Sequence, residues 1–274
     1  MQKLDGRVTV ITGSTKGIGN AIAHAFVREG AKVVITSSSE PNVRHALDAF
    51  PEGTALGFRC DVTSPAEVER LLEAAVERFG RIDCFINNAG ISDPFQSLAE
   101  SDPDLWGRVI DTNIKGTYYA SRAAIRYFLQ FNPNGKLINM AGSGTDPQSN
   151  TPWISAYGST KAAIARFTRS VAAEYRHTGM SIMLLHPGLV RTAMVSPSEP
   201  TAELLKQLHT FNTVLDIFAQ PPSVAARLAV KMASEWSDGR TGIYLSALGN
   251  WRKKRLLLSF PFRKMFNRID RRTY

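Results

Sequence analysis

Short apolar runs alternate with longer amphipathic ones along most of this chain. Arg7-Val8-Thr9-Val10-Ile11-Thr12 reads as a buried, β-branched strand. Ile18, Ala21, Ile22, Ala25 and Phe26 then mark one face of a helix. Further strands are expected at 32–36, 55–60, 82–86, 136–140 and 181–185, with another helical face at Val68, Leu71, Leu72, Ala75, Val76 and Phe79. Long helices are expected over 104–131 and from Tyr157 to about Arg176. This alternation predicts an α/β, doubly wound fold. One domain, residues 1–250, would surround a central parallel sheet of about seven strands with helices on both faces. Ligands of such sheets sit beyond the carboxyl ends of the strands, near the switch point.

The residues at those strand ends carry the candidate chemistry. Gly13-Ser14-Thr15-Lys16-Gly17-Ile18-Gly19 joins the first strand to the first helix. Glycines there allow a tight turn and let the backbone approach a phosphate, which the helix N-terminus favours through free N–H groups and its dipole. The spacing is G-x-x-x-G-x-G, so glycines that merely turn the chain are the plainer alternative. The second strand runs into Ser37-Ser38-Ser39, with no acid before Glu40. An acid at that point holds ribose hydroxyls and repels a 2′-phosphate. Its absence, with Lys16 in the glycine turn, favours NADP(H) over NAD(H), unless the serines simply open a loop. Asp61-Val62 and Asn87-Asn88-Ala89-Gly90 end the next two parallel strands on the same edge. Asn113 and Gly116 are unfavourable inside a helical pattern and suggest either a functional bend or close helix packing at Gly116.

Tyr157 and Lys161 lie four residues apart where the next long helix begins, so both can point into one cleft. A free tyrosine has a pKa near ~10, roughly three units too high for efficient proton exchange at neutral pH. A nearby cation in a poorly solvated pocket is expected to close that gap of about 4 kcal/mol. The spacing alone is common by chance; a surface aromatic with an exposed lysine is the plainer reading.

Taken in order, Thr12-Gly13-x-x-x-Gly17-x-Gly19, Asn87-Asn88-Ala89-Gly90, Asn113, Tyr157-x-x-x-Lys161 and Pro187-Gly188 resemble the short-chain dehydrogenase/reductase family, in its single-domain branch with a Rossmann fold. The serine-rich strand end and Lys16 look most like NADP-using members, 3-oxoacyl-carrier-protein reductases among them. The resemblance implies that Tyr157 exchanges a proton with a carbonyl or secondary alcohol while hydride passes to or from the nicotinamide. Lys161 would lower the tyrosine pKa and hold the nicotinamide ribose, and Asn113 would anchor a water. Gly13, Ser14, Thr15, Lys16, Gly17, Ile18 and Gly19 would take the pyrophosphate. Ser37 and Ser38 would take the ribose phosphate, and Asp61 and Val62 the adenine. Asn88, Ala89 and Gly90 would lie along the cofactor, with Pro187, Gly188, Val190 and Thr192 near the carboxamide. The family's catalytic serine falls on Gly142 when aligned from the strand, so Ser143 is assigned the role, with Ser149 or another loop hydroxyl as the alternative. A homodimer or homotetramer would form through the helices around 104–131 and 156–176. A cofactor-binding sensor, and a dehydratase or epimerase using the same site, are the competing functions.

Composition narrows this picture. No apolar run reaches the ~18–20 residues of a membrane span, and no signal-like leader precedes the first strand, so a cytoplasmic location is expected. Cys60 and Cys84 read as reduced core residues, and the five histidines lack metal-ligand spacing, so no metal site is assigned. The net charge is +9, yet residues 251–274 hold nine Lys/Arg and one acid, leaving the body nearly neutral. No specific nucleic-acid site is expected. This basic extension alternates cationic with apolar clusters, and it suits a subunit interface, a peripheral contact with an anionic membrane surface, or an acidic partner. Pro261 is expected to break any helix there. Residues 193–220 read as a substrate lid over a hydrophobic pocket that Trp153 would help line, which points to a medium-sized apolar carbonyl or alcohol.

Overall fold

The computed structural model describes residues 2–148, 150–191, 202–266, 268–269 and 272–273. Seven parallel strands form one sheet: β1 (Val8–Ile11), β2 (Lys32–Ser37), β3 (Ala55–Arg59), β4 (Cys84–Asn87), β5 (Lys136–Met140), β6 (Ser181–His186) and β7 (Tyr244–Ser246). Their order is β3-β2-β1-β4-β5-β6-β7, so the direction of winding reverses between β1 and β4. That is the doubly wound architecture read from the sequence, with its switch point at the glycine turn.

Two apolar layers hold the sheet. Neighbouring strand residues point to opposite faces, and here both faces are buried. Val10, Val34, Phe85, Leu137 and Ile182 face one layer; Ile11, Ile35, Ile86, Ile138 and Met183 face the other. The second layer is closed by Ile22 and Phe26 of α1 (Gly17–Arg28) and by Ala226 and Val230 of a late helix, 223–233. Leu71 and Leu72 of the helix Pro65–Phe79 and Phe128 of the helix Gly116–Phe131 close the first. A helix at Glu40–Leu47, started by Ser39 accepting from the Asn42 N–H, lies between β2 and β3. In chain order these helices are α1, α2 (Glu40–Leu47), α3 (Pro65–Phe79), α4 (Pro103–Ile110), α5 (Gly116–Phe131), α6 (Ser155–Glu174), α7 (Ala202–Phe218), α8 (Ser223–Ala233) and α9 (Asn250–Met265).

Two helices depart from the reading of their sequences. The span expected as one helix over 104–131 is divided at Asp111–Lys115 by a wide π turn, which carries Asn113 fully buried. The bend is there, but the close packing at Gly116 is against the turn after β3 and not against a helix: a Cβ on Gly116 would meet Val62 Cγ2 at 2.6 Å. The second departure is a correction: α9 runs through Pro261 without breaking. Proline removes one donor, that for the Leu257 carbonyl, and Leu257 is exposed, where water can replace it. Arg263 also braces this turn, donating to the carbonyls of Leu256 and of Ile217 in α7.

Candidate active site

The glycine turn after β1 is held to the loop after β4 by two side chains, Thr12 and Asn88. Thr12 Oγ1 accepts from the N–H groups of Asn88 and Ala89, and Asn88 Nδ2 donates to the carbonyls of Thr12 and Gly13. Gly13 has φ +60, and a Cβ there would lie 2.7 Å from Ala89 Cα. A Cβ on Gly19 would meet Asn88 Nδ2 at 2.5 Å. Two of these glycines are thus required by the packing of the turn on β4. Ser14 is committed too: its hydroxyl donates to the Ile11 carbonyl and accepts from the Thr36 N–H. The N–H groups of Gly13 and Ser14 are also taken, by Thr36, which leaves the later part of the turn, up to Gly19, to face a ligand. Lys16 precedes α1 with no side-chain cap, and no acid lies in the first turn. Free N–H groups, the positive end of a twelve-residue helix and an exposed lysine fit a pyrophosphate.

Along the same edge, half-buried Ser37 ends β2 and exposed Ser38 follows it. Ser37 Oγ accepts from the Ser39 N–H. Asp61 is folded into its own turn, accepting from the Thr63 N–H and hydroxyl, with Val62 buried against Gly116. Pro187, Gly188 (φ +79) and Val190 follow β6. Thr192 and Ser149 lie outside the described residues.

Tyr157 and Lys161 begin α6, whose own N-cap residue, Ile154, supplies no side-chain bond. The cap comes from 63 residues upstream. Asp93, buried in the loop after β4, accepts from the N–H of Ala156 at 3.2 Å and of Tyr157 at 3.0 Å. Lys161 Nζ donates to the Met140 carbonyl at 3.1 Å and stands 5.5 Å from the centre of the Tyr157 ring. Asn113 donates to the Ile91 carbonyl and to Thr160 Oγ1 and accepts from the Ile91 N–H, all within 3.0 Å. The π turn therefore ties the β4 loop to α6 through one amide. The structure brings Asn88, Gly90, Asn113, Gly142, Tyr157 and Lys161 to one strand-end edge.

The electrostatics correct one expectation. Burial pushes the Tyr157 hydroxyl up to about 12 and Lys161 down to about 8. The ammonium is engaged by a carbonyl beside the ring, with no bond to the phenol, so desolvation of the phenolate outweighs its attraction. As it stands the phenol is held protonated.

At the serine position, a Cβ on Gly142 would lie 2.4 Å from Tyr157 Oη. The tyrosine hydroxyl occupies the space where a side chain at 142 would begin, so the family's serine cannot be accommodated there with this tyrosine pose. Ser143 follows in the turn, half-buried, and Thr145 Oγ1 accepts from the Gly142 N–H at 3.0 Å. Sequence reasoning missed Thr145, along with Asp93, Thr160 and His186. His186 Nδ1 accepts from the Gly188 N–H, and burial, Lys253 and Lys161 hold the ring below its ordinary range. Its place directly before Pro187-Gly188 was the available signal.

An apolar cluster lies beside Tyr157. Phe95 and Ile154 pack with Trp153, with Tyr157 itself, and with Leu208 and Phe211 of α7. Trp153 has φ +72, the one positive value among the described non-glycine residues. Such strain costs of order 1–3 kcal/mol and persists where its surroundings impose it. Arg191, after β6, pairs with Asp216 of α7, and the Gln220 N–H donates to the Leu189 carbonyl, fastening α7 beside the site.

A family model described as short chain dehydrogenase matches residues 7–203. This chain belongs to the short-chain dehydrogenase family. It is 30% identical over 257 residues to glucose 1-dehydrogenase 2 of Bacillus subtilis, covering 89% of this chain and 98% of that one. It is also 30% identical to a probable chlorophyll(ide) b reductase of Arabidopsis thaliana over 88% of this chain, but spans only 51% of that relative. A rice relative of the same description is likewise covered to 51%. A solved short chain dehydrogenase from Mycobacterium smegmatis superposes with a TM-score of 0.75 at 26% identity, covering 91% of this chain and 95% of the other. The family is one of oxidoreductases that bind a nicotinamide cofactor, and the free helix terminus at Gly17 to Gly19 fits such a group. Among the described residues no helix is long and apolar enough to cross a membrane, and no cluster of ligands could hold a metal ion.

Proposed function

We propose that this dehydrogenase uses NADP(H) and interconverts a carbonyl and a secondary alcohol on a medium-sized, apolar substrate. The observation that carries this is the half-buried Tyr157, its hydroxyl set over Gly142 with Lys161 behind it and an apolar wall of Phe95, Ile154, Leu208 and Phe211 alongside. The nicotinamide, when bound, supplies or accepts the hydride; the chain manages the proton. Tyr157, kept protonated by burial, is the donor to a carbonyl oxygen. Lys161 supports it with charge, Asn113 and Asp93 fix the start of α6, and Ser143 orients the reacting oxygen from its half-buried turn. Lys16, Ser37 and Ser38 would meet the 2′-phosphate, with no acid in the strand end to oppose it.

The test is a ketone panel with NADPH and NADH side by side. NADPH should support bulky apolar ketones at least about tenfold better than small polar ones. A preference for NADH would overturn the cofactor assignment, and a preference for small polar ketones the pocket. Binding without turnover would make the chain a sensor. Conversion without net NADPH consumption would make it a dehydratase or epimerase.

A further inference from the structure

The basic extension forms α9, and its two faces differ in kind. Arg252, Leu256, Ser259, Phe260 and Arg263 are half-buried, on the side where Arg263 bonds the Ile217 carbonyl of α7. Trp251, Leu258, Phe262 and Met265 recur at spacings of seven, four and three, which places them on one stripe of the opposite side. They are 82%, 76%, 64% and 68% exposed. Four large apolar side chains in line on a surface mark an interaction site rather than chance.

The charges around the stripe select its partner. Lys254 and Arg255 are exposed on either flank of it, Lys253 and Lys264 are exposed further round the helix, and α9 contains no acid. None of the described ion pairs involves a residue of this helix. At the start of the helix, Arg227 of α8, Arg252 and Arg255 line a pocket of about 470 Å³ together with Trp251, Gly249 and Asn250. Among the described residues no carboxylate lines it and the buried Nε of Arg252 has no hydrogen-bond partner, and Gly249 caps the helix with no side-chain bond. Trp251 and Arg255 belong to both the pocket and the stripe side, so a polar anion and an apolar body would be met together. A second copy would bring another +8 extension and a nearly neutral body, which offers poor complementarity.

We propose that α9 docks on an anionic phospholipid surface, with Trp251, Leu258, Phe262 and Met265 entering the acyl boundary and Arg227, Arg252 and Arg255 holding a headgroup phosphate. Helices of this composition lie in the interface plane, anchored by buried apolar area together with attraction to anionic lipid. The proposal is independent of the redox reading.

Sedimentation of the full chain with vesicles tests it. Phosphatidylcholine containing phosphatidylglycerol should carry the protein down, pure phosphatidylcholine should not, and about 0.5 M salt should weaken the binding. Arg227→Gln and Arg255→Gln should each lower vesicle affinity about fivefold. Leu258→Glu with Phe262→Glu should abolish it; both residues are exposed, and unchanged circular dichroism would certify the fold. Failure to bind phosphatidylglycerol vesicles, equal binding to both vesicles, or full binding by the double glutamate variant would overturn the proposal. A change in the protein's own oligomer size in that variant, without vesicle binding in the parent, would give the stripe to a second copy instead.

Discussion

The strand-end edge and the outer layer of α7 and α9 are held by different means. At the edge, polar side chains bond backbone: Thr12 holds the β4 loop, Asn88 the glycine turn, Asp93 the start of α6, and Asn113 the backbone of Ile91. Each such bond is directional, and each side chain is committed by more than one partner. The outer layer rests on ring and aliphatic contacts, plus the Arg191–Asp216 pair and the reach of Arg263 to Ile217. Apolar contact fixes proximity but tolerates change in shape far better than a buried hydrogen-bond network does. On the proposed function, the first region would set the geometry of reaction and the second the choice of substrate.

Removing the acid should have the largest effect. Tyr157→Phe deletes one hydroxyl and leaves the ring in its cluster, so turnover should fall about 10²–10⁴-fold with NADPH affinity near the parent value. Undiminished ketone reduction by this variant would remove the edge from the chemistry altogether. Asn113→Ala comes next. It leaves the N–H and carbonyl of half-buried Ile91 without Asn113, at about 1–3 kcal/mol for each where water does not replace it. A loss near 3 kcal/mol in urea denaturation is expected, with turnover lowered because α6 loses its tie through Thr160. A loss below about 0.5 kcal/mol would show that this network is less committed than its bonds suggest.

A pH profile sharpens the same point. Burial lowers Lys161 to about 8, so its charge is lost well before the 10.5 of an ordinary lysine. Reduction should fall on rising through about pH 8, approaching tenfold per unit, because the neutral amine no longer supports the proton donor. Tyr157, raised to about 12, stays protonated across that range and cannot set this limb. An alkaline limb that begins only above pH 10 would transfer it from Lys161 to the phenol.

How much of this was legible follows from the distance over which each feature is specified. The strands could be read because Val10 and Ile11, or Phe85 and Ile86, fill opposite layers within a local apolar run. The glycine turn and the Tyr157–Lys161 pair could be read because their chemistry needs fixed short spacings. Asp93 could not, since its cap joins residues 63 apart and nothing near position 93 announces a helix start. The direction of the Tyr157 shift was misread because spacing shows that a cation is near, whereas desolvation depends on the packing of Phe95, Ile154 and α7 around it. Pro261 was misread for the opposite reason. A local rule was applied where an exposed carbonyl and a tertiary contact through Arg263 outweigh it.

Phe211→Ala should give the smallest effect and the clearest view of the outer layer. The Phe211 ring sits 5.4 Å from that of Phe95, tilted against it, and is half-buried beside Tyr157. Its loss takes apolar surface from the substrate wall without touching a hydrogen bond of the edge. The KM for a bulky apolar ketone should rise about five- to tenfold, consistent with roughly 1–1.4 kcal/mol of uniform binding, while kcat stays within about twofold. Leu205→Ala, on an exposed position of the same helix, is the control and should change neither constant. A collapse of kcat in Phe211→Ala with KM unchanged would mean that α7 helps to set the tyrosine's reactive pose. The division between the two regions would then fail at the point where they touch, because Tyr157 belongs to both.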